Sequence, residues 1–231
     1  MLRLIEADVL KLQRRRGMLI VTAALTLGAV ALYFGIGAAL DKDTDFASAV
    51  GILTLLAAVT GAIIGATAGG ADIESGVFRD LVATGRNRSA LFFARVPAAW
   101  AITLTILLVA LVAAAIVATP PATEALRGTL TVLVSGALTA AVCVGLAALT
   151  GRSGQVMGFV LAFQLGVAPL LAQLDVLGDG RFAIPAVAIS RLDNADGLVA
   201  TLPLLGAVGI ILAWAAAALG AGLWRTRTQE I

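Results

Sequence analysis

Six stretches of this sequence carry no charged side chain at all: 17 to 40, 46 to 71, 96 to 119, 128 to 151, 153 to 174 and 198 to 224. Each is at least 22 residues long. A helix rises ~1.5 Å per residue and a bilayer's hydrocarbon core is ~30 Å thick, so each run can cross a membrane unaided. With 60% hydrophobic and only 13% charged residues, the chain does not have the composition of a soluble domain of its length. The expected fold is an all-α integral membrane protein of six transmembrane helices, forming one domain over residues 1–231.

Two boundaries need argument. Joining the fourth and fifth runs across Gly151-Arg152-Ser153-Gly154 would give a helix ~70 Å long, more than twice the bilayer core, so the chain is expected to turn at Arg152. The first run follows three arginines, as the apolar region of a twin-arginine signal follows basic residues, but its 24 residues exceed the ~7 to 15 of a signal h-region and no convincing A-x-A site follows. It is expected to stay as an uncleaved helix.

The basic residues set the orientation. With both termini in the cytoplasm, that side holds Arg3, Lys11, Arg14, Arg15, Arg16, Arg79, Arg86, Arg88, Arg95, Arg152, Arg225 and Arg227, and the other holds Lys42, Arg127, Arg181 and Arg191. Twelve against four is a positive-inside bias. The net charge of +2 is therefore a topology signal and does not point to nucleic acid. The expected location is the bacterial cytoplasmic membrane. The single cysteine, Cys143, falls within the fourth run and is expected to serve as a small packing residue.

The uncharged runs offer no carboxylate, histidine or arginine to bind a driving ion or sense a field, which argues against an ion-coupled carrier. There is no histidine in the chain. The acids sit in short loops without metal-ligand spacing, so neither catalysis nor a bound metal is expected. Nor is there a G-x-x-x-x-G-K-[ST] phosphate loop: the two lysines, Lys11 and Lys42, do not follow glycines. A chain of this kind that moves cargo uphill needs its motor on another polypeptide.

The charge is concentrated in one island, where Asp72 to Arg95 holds three acids and four arginines in 24 positions. Between Asp72 and Leu91 only Gly76 and Gly85 interrupt helical character, and Ile73, Val77, Leu81 and Leu91 recur near helical spacing. A plain solvated connector would explain the arginines as topology markers. The island's length, mixed signs and amphipathicity argue for a contact surface.

This segment resembles the cytoplasmic coupling helix that permease subunits of ABC-2 type exporters carry between their second and third spans, with the approximate pattern E-x-x-x-G-T, a leucine pair, P-x-[ST]-R and, further on, G-K. Gly76 matches the family glycine, Leu81 and Val82 the leucine pair, Arg88 the arginine and Ala94-Arg95 the G-K position. Glu74 answers to the acid, two residues before Gly76. Val77 stands for the threonine, Gly85 for the proline and Asn87 for the Ser/Thr.

The resemblance extends along the chain. Residues 1–16 place Leu2, Ile5, Val9 and Leu12 on one face of a helix suited to the headgroup region, as in the family. Residues 175–197 contain an apolar run, Phe182 to Ile189, too short to span, where the family has extracellular helices; an ordinary loop with an apolar patch is the alternative.

What the resemblance implies is a permease subunit of an ATP-driven exporter. Two permease chains, identical or different, would pair, and two P-loop ATPase subunits would dock below, carrying the ATP and Mg that this chain does not bind. Glu74, Gly76, Arg79, Leu81, Gly85, Arg86 and Arg88 would form the ATPase joint, with Glu74 pairing across it or with the N-terminal helix. Charge reversal at Arg88 is expected to weaken ATPase association without preventing insertion. A scaffold that recruits another cytosolic partner through residues 72–95 is the alternative.

Two further features concern packing and cargo. Gly61, Gly65 and Gly69 form overlapping GxxxG units that allow close helix approach, either at a seam with a second permease or against a helix of the same chain. Gln164, near the middle of the fifth span, should find an interhelical hydrogen bond there; together with Thr105 it is also a candidate for lining a path for hydrophobic or amphiphilic cargo.

Overall fold

The computed structural model describes residues 1–193 and 201–228. Its helices are α1 (Leu2–Arg14), α2 (Arg16–Ala39), α3 (Phe46–Glu74), α4 (Val77–Ala83), α5 (Arg88–Ala118), α6 (Ala122–Thr150), α7 (Ser153–Ala162), α8 (Ala168–Ala172), α9 (Pro185–Ser190) and α10 (Leu204–Thr228). A π-helical turn, Phe163–Val167, joins α7 to α8 into one rod, and there is no strand among the described residues. Six of these helices are long and apolar enough to cross a membrane: α2, α3, α5, α6, the rod Ser153–Ala172 and α10. This is the architecture of an all-α multi-pass membrane protein.

The expected turn at Arg152 is present. Gly151 closes α6 with φ 71°, the left-handed conformation open to glycine, and α7 begins at Ser153. Other boundaries moved. α5 starts at Arg88, not 96, because the Asn87 side chain accepts hydrogen bonds from the Ser89 and Ala90 amides at 2.9 and 3.3 Å and so caps the helix upstream of Arg95. An uncharged run begins after the last flanking charge, whereas a helix begins at its cap. The last four residues of the predicted 175–197 loop and the first three of the predicted sixth span lie outside the described residues.

The bundle is organised around α3 and α6, which run parallel, since Gly61, Gly65 and Gly69 meet Gly136, Ala140 and Val144 in the same order. Their contact faces are lined by glycine, alanine and small hydroxyl residues, so that backbones rather than side chains meet. A β-carbon on Gly61 would stand 2.7 Å from the Gly136 carbonyl oxygen, one on Gly65 would run into the Ala140 carbonyl, and one on Gly69 would stand 2.5 Å from that of Val144. The GxxxG stripe is therefore consumed within the chain, against α6, and is not available as a seam for a second chain. α10 meets α6 in the same way, with Gly222 lying against the Gly145 backbone.

Apolar layers fill the space on either side of this pair. Leu53, Leu107 and Val132 are fully buried toward one end, and Ile64, Phe92 and Val144 toward the other. Cys143 is buried among Ala62, Ala147, Val156 and Val160 as a small packing residue. Between α2 and α3 the buried Thr26 and Thr60 hydroxyls hydrogen-bond at 3.0 Å, and Ser135 of α6 donates to the Thr54 carbonyl at 3.3 Å. These hydroxyl pairs knit helices where apolar surface gains nothing over lipid.

Because neighbouring spans alternate in direction, α1, the ends of α3 and α10 and the starts of α5 and α7 gather at one end of the bundle, as the Lys11–Asp72, Glu74–Ser153 and Arg88–Arg227 contacts require. The chain segments holding the twelve basic residues counted above converge there. At the opposite end the Tyr33 hydroxyl donates to the Asp45 carboxylate at 3.1 Å, and Asp45 caps α3 through the Ser48 amide. The predicted short element between the fifth and sixth spans is α9, whose Pro185, Val187, Ala188 and Ile189 are buried against the bundle.

Candidate functional site

The charged island is not one helix. Gly76 and Gly85 adopt φ values of 77° and 82°, in the left-handed region, and cut it into the end of α3, the seven-residue α4, and the start of α5. Both glycines are exposed, and a β-carbon on either would meet nothing, so backbone conformation rather than space demands glycine there. The turn at Gly76 resets the helical phase. The side chain that α4 buries is consequently Phe78, while Val77, placed by periodicity on the apolar face, is exposed.

Phe78 lies under the guanidinium of Arg95, whose Cζ is 5.2 Å from the ring centroid. Arg95 is only 2% exposed. Its Nη1 donates to the Gly69 carbonyl at 3.0 Å, and its Nη2 is 3.6 Å from the Asp72 carboxylate. Asp72 also accepts from Lys11 of α1 at 3.0 Å, and Lys11 in turn pairs with Asp8 at 3.3 Å. A chain of alternating charge thus links α1 to α3 and α5 at the root of α4. Leu12 and Val9 of α1 complete the joint by packing with Phe92 and Val96 of α5.

The electrostatics suit a clip that stays charged. Burial raises the Asp8 carboxyl above the ordinary aspartate value, with Lys11 pulling the other way. Burial would lower the Lys11 ammonium, but its hydrogen bond to Asp72 and the charges of Asp72 and Asp8 outweigh that and raise it. A raised lysine contributes stability that is complete below its unfolded value and is lost only as pH climbs through the higher folded one. The Lys11 clip is therefore intact at neutral pH.

The predicted coupling residues divide between two tasks. Gly76, Arg79, Gly85 and Arg86 are exposed and Leu81 is half-buried. Arg88 is partly covered and donates through Nη1 to the Arg227 carbonyl of α10 at 3.2 Å, while Arg227 donates to Ser89 Oγ at 2.9 Å. Charge reversal at Arg88 would therefore disturb α10 as well as any partner. Glu74 does not reach the N-terminal helix; the acid that does is Asp72, two residues earlier. The Glu74 carboxylate instead accepts from the Ser153 amide at 2.6 Å and from its hydroxyl at 2.8 and 2.9 Å, capping α7.

That cap yields a first prediction. Glu74→Ala removes the acceptor at the start of α7 and is expected to lower stability by about 1 kcal/mol. A thermal midpoint in detergent checks this, and hydrogen exchange should locate the loosening at residues 153–157 rather than in α4.

Gln164 and Thr105 are not brought together. Gln164 lies in the π-helical turn and donates to Thr139 Oγ1 of α6 at 3.1 Å, the interhelical bond expected of it. It borders a largely apolar cavity of about 200 Å³ with Phe159, Phe163 and Trp214, and a smaller one near Ser135 and Ile189. Thr105 is exposed on α5 and donates to its own helix at the Ala101 carbonyl, 2.6 Å away. Among the described residues no three side chains of the His, Cys, Asp and Glu kind converge as metal ligands.

Sequence reasoning missed the Asp8–Lys11–Asp72–Arg95 chain. The sequence puts Arg95 just outside the third span as a positional match, and its pairing with Asp72 joins residues 23 apart through a fold that neither periodicity nor composition reveals. The available signal was that Arg95 follows two phenylalanines and an alanine and directly precedes an uncharged run, so its charge needed a partner near the membrane edge. Comparison of the chain with family models, with curated proteins and with solved structures found no match.

Proposed function

We propose that this chain is the membrane-spanning permease subunit of an ATP-driven exporter of the ABC-2 type, moved by a separate P-loop ATPase. The observation that carries the reading is α4. It is a single short helix, set off by a left-handed glycine on each side, with Arg79 and Asp80 exposed, and its root is clamped to α1, α3 and α5 through Phe78 and Arg95. A partner that grips Arg79 on α4 and Arg86 just past its closing glycine pulls on α3 and α5 together. In this reading the basic end faces the cytoplasm, the positive-inside arrangement.

Two ATPase subunits would serve two permease chains, with ATP and Mg held by the ATPase. Because α6 fills the Gly61–Gly65–Gly69 face, the second permease would meet this chain elsewhere. The apolar surroundings of Gln164 favour a hydrophobic or amphiphilic cargo, and the π-helical turn that carries it is the kind of irregularity often found at working positions in helices.

The test is co-purification in mild detergent from the native host. Wild-type chain should recover an ATPase bearing a phosphate loop, and Arg79→Glu/Arg86→Glu should lose it by about tenfold or more while inserting normally, since desolvated charge pairs at an interface carry ~2 to 5 kcal/mol. Recovery of a partner without a phosphate loop would favour the scaffold reading, and equal recovery with the double variant would remove α4 from the joint.

A further inference from the structure

The joint between α1, α3 and α5 encloses a cleft of about 350 Å³. Arg95 lines it, and its Nη2 is buried without a hydrogen-bond partner, since Asp72 at 3.6 Å is beyond reach for one. A buried guanidinium donor without an acceptor is costly, and such a group ordinarily marks a missing ligand or water.

The charge around the cleft is unbalanced. Lys11, Arg14, Arg15 and Arg95 line it against Asp8 and Asp72, four cations to two anions and a surplus of two. Lys11 bridges both carboxylates and Arg95 faces Asp72, so the surplus resides on Arg14 and Arg15, both exposed at the end of α1. Ser75 also borders the cleft, its hydroxyl donating to the Ala71 carbonyl at 2.8 Å. The other walls are the apolar Leu12, Ala68, Ala71 and Val77 and Thr67, whose hydroxyl donates to the Ile63 carbonyl of its own helix.

One chemistry satisfies all of this. A phosphate group offers several oxygens in the geometry that guanidinium forks prefer, and can accept from Arg95 at the floor and from Arg14 or Arg15 at the mouth. An apolar wall beside it suits the glycerol and first methylenes of an amphiphile. We propose that this cleft binds a phosphate group, carried by an anionic lipid headgroup or free in solution, which ties α1 to α5 at the root of α4. The proposal is independent of which partner grips α4.

The test uses the full chain purified in a neutral maltoside detergent, with binding read by native mass spectrometry and by thermal shift. The probes are dioleoylphosphatidylglycerol, dioleoylphosphatidylcholine and inorganic phosphate. Phosphatidylglycerol is expected to be retained and to raise the thermal midpoint, with phosphatidylcholine markedly weaker. Arg14→Gln/Arg15→Gln, both at exposed positions, should weaken retention about tenfold or more, at ~1 kcal/mol for each basic residue near an anionic surface.

Arg95→Gln should have a similar effect, and Arg225→Gln, exposed at the same end of the bundle but away from the cleft, should have none. Inorganic phosphate competing at equal affinity would support the site and assign it a soluble ligand; failure to compete would assign it to lipid. Equal retention of the two lipids, equal loss in Arg225→Gln, or wild-type binding by the Arg14/Arg15 variant would overturn the proposal. That exposed pair decides the matter alone should Arg95→Gln not fold.

Discussion

Gly65→Leu is expected to be among the most damaging single substitutions in the chain, lowering stability by about 3 kcal/mol or more. At Gly65 the obstacle is the Ala140 backbone, its carbonyl oxygen and Cα both in the path of a β-carbon. A side chain in a core can change rotamer to admit a larger neighbour, but the backbone of a helix in mid-membrane cannot move without breaking its own hydrogen bonds. The only relief is to separate α3 from α6, which opens the centre of the bundle.

Gly51 supplies the control. It lies on the same helix, is exposed, and has nothing within 4 Å of where a β-carbon would sit. Gly51→Leu should leave the thermal midpoint within a degree or two of wild type, while Gly65→Leu should lower it by roughly 10 °C or abolish the monodisperse protein, by the scaling of midpoint with stability for chains of this size. Equal tolerance of both would show that α3 and α6 do not meet through backbone.

The second large effect is expected at the charged root of α4. Asp72→Ala leaves the Arg95 guanidinium, 98% covered by the fold, with one hydrogen bond to the Gly69 carbonyl and the Phe78 ring, and frees Lys11 from α3. Removing one partner of a buried ion pair destabilises by ~3 to 5 kcal/mol; since the Asp72 side chain is 18% exposed and water can reach it, the lower end of that range applies. Asp72→Ala/Arg95→Met, which removes both charges and keeps the volume of the arginine stem, should recover most of the loss. A double-mutant cycle on thermal midpoints measures the coupling, and an additive result would mean that the two residues do not meet.

How much of this was written in the sequence differs from one element to another. The six spans and the turn at Gly151 were legible because a helix that must cross lipid excludes charge, and a break between two such helices needs polar or small residues. Gly76 and Gly85 could be seen as the interruptions in the charged island. That they adopt left-handed backbone and isolate α4 could not, because glycine permits such a turn without requiring one, and Gly61, Gly65 and Gly69 sit inside a continuous helix. Periodicity failed at Val77 for the same reason: a phase carried across Gly76 is meaningless once the backbone turns there.

The partner of the glycine stripe was open to two readings because GxxxG specifies close approach and not identity. The complementary small residues, Gly136, Ala140 and Val144 at the matching four-residue spacing on α6, were visible in the sequence but not their register against α3. Likewise Gln164 announced that it needed a hydrogen bond, as any amide in mid-membrane does, without naming Thr139. The Asp72–Arg95 pair stays hidden when the third span is taken to begin at 96, because Arg95 then falls in the cytoplasmic segment.

The central claim is that α4 is the lever through which an ATPase works on this chain. The most direct measurement places a photo-crosslinking residue at Ala83, exposed at the end of α4, in the full-length protein within native membranes. Irradiation should yield one dominant adduct whose partner carries a phosphate loop and lies on the cytoplasmic face, and the adduct should fade in the Arg79→Glu/Arg86→Glu variant. An adduct only with lipid or with proteins of the outer face, or an ATPase that binds the chain fully while leaving this position unlabelled, would contradict it.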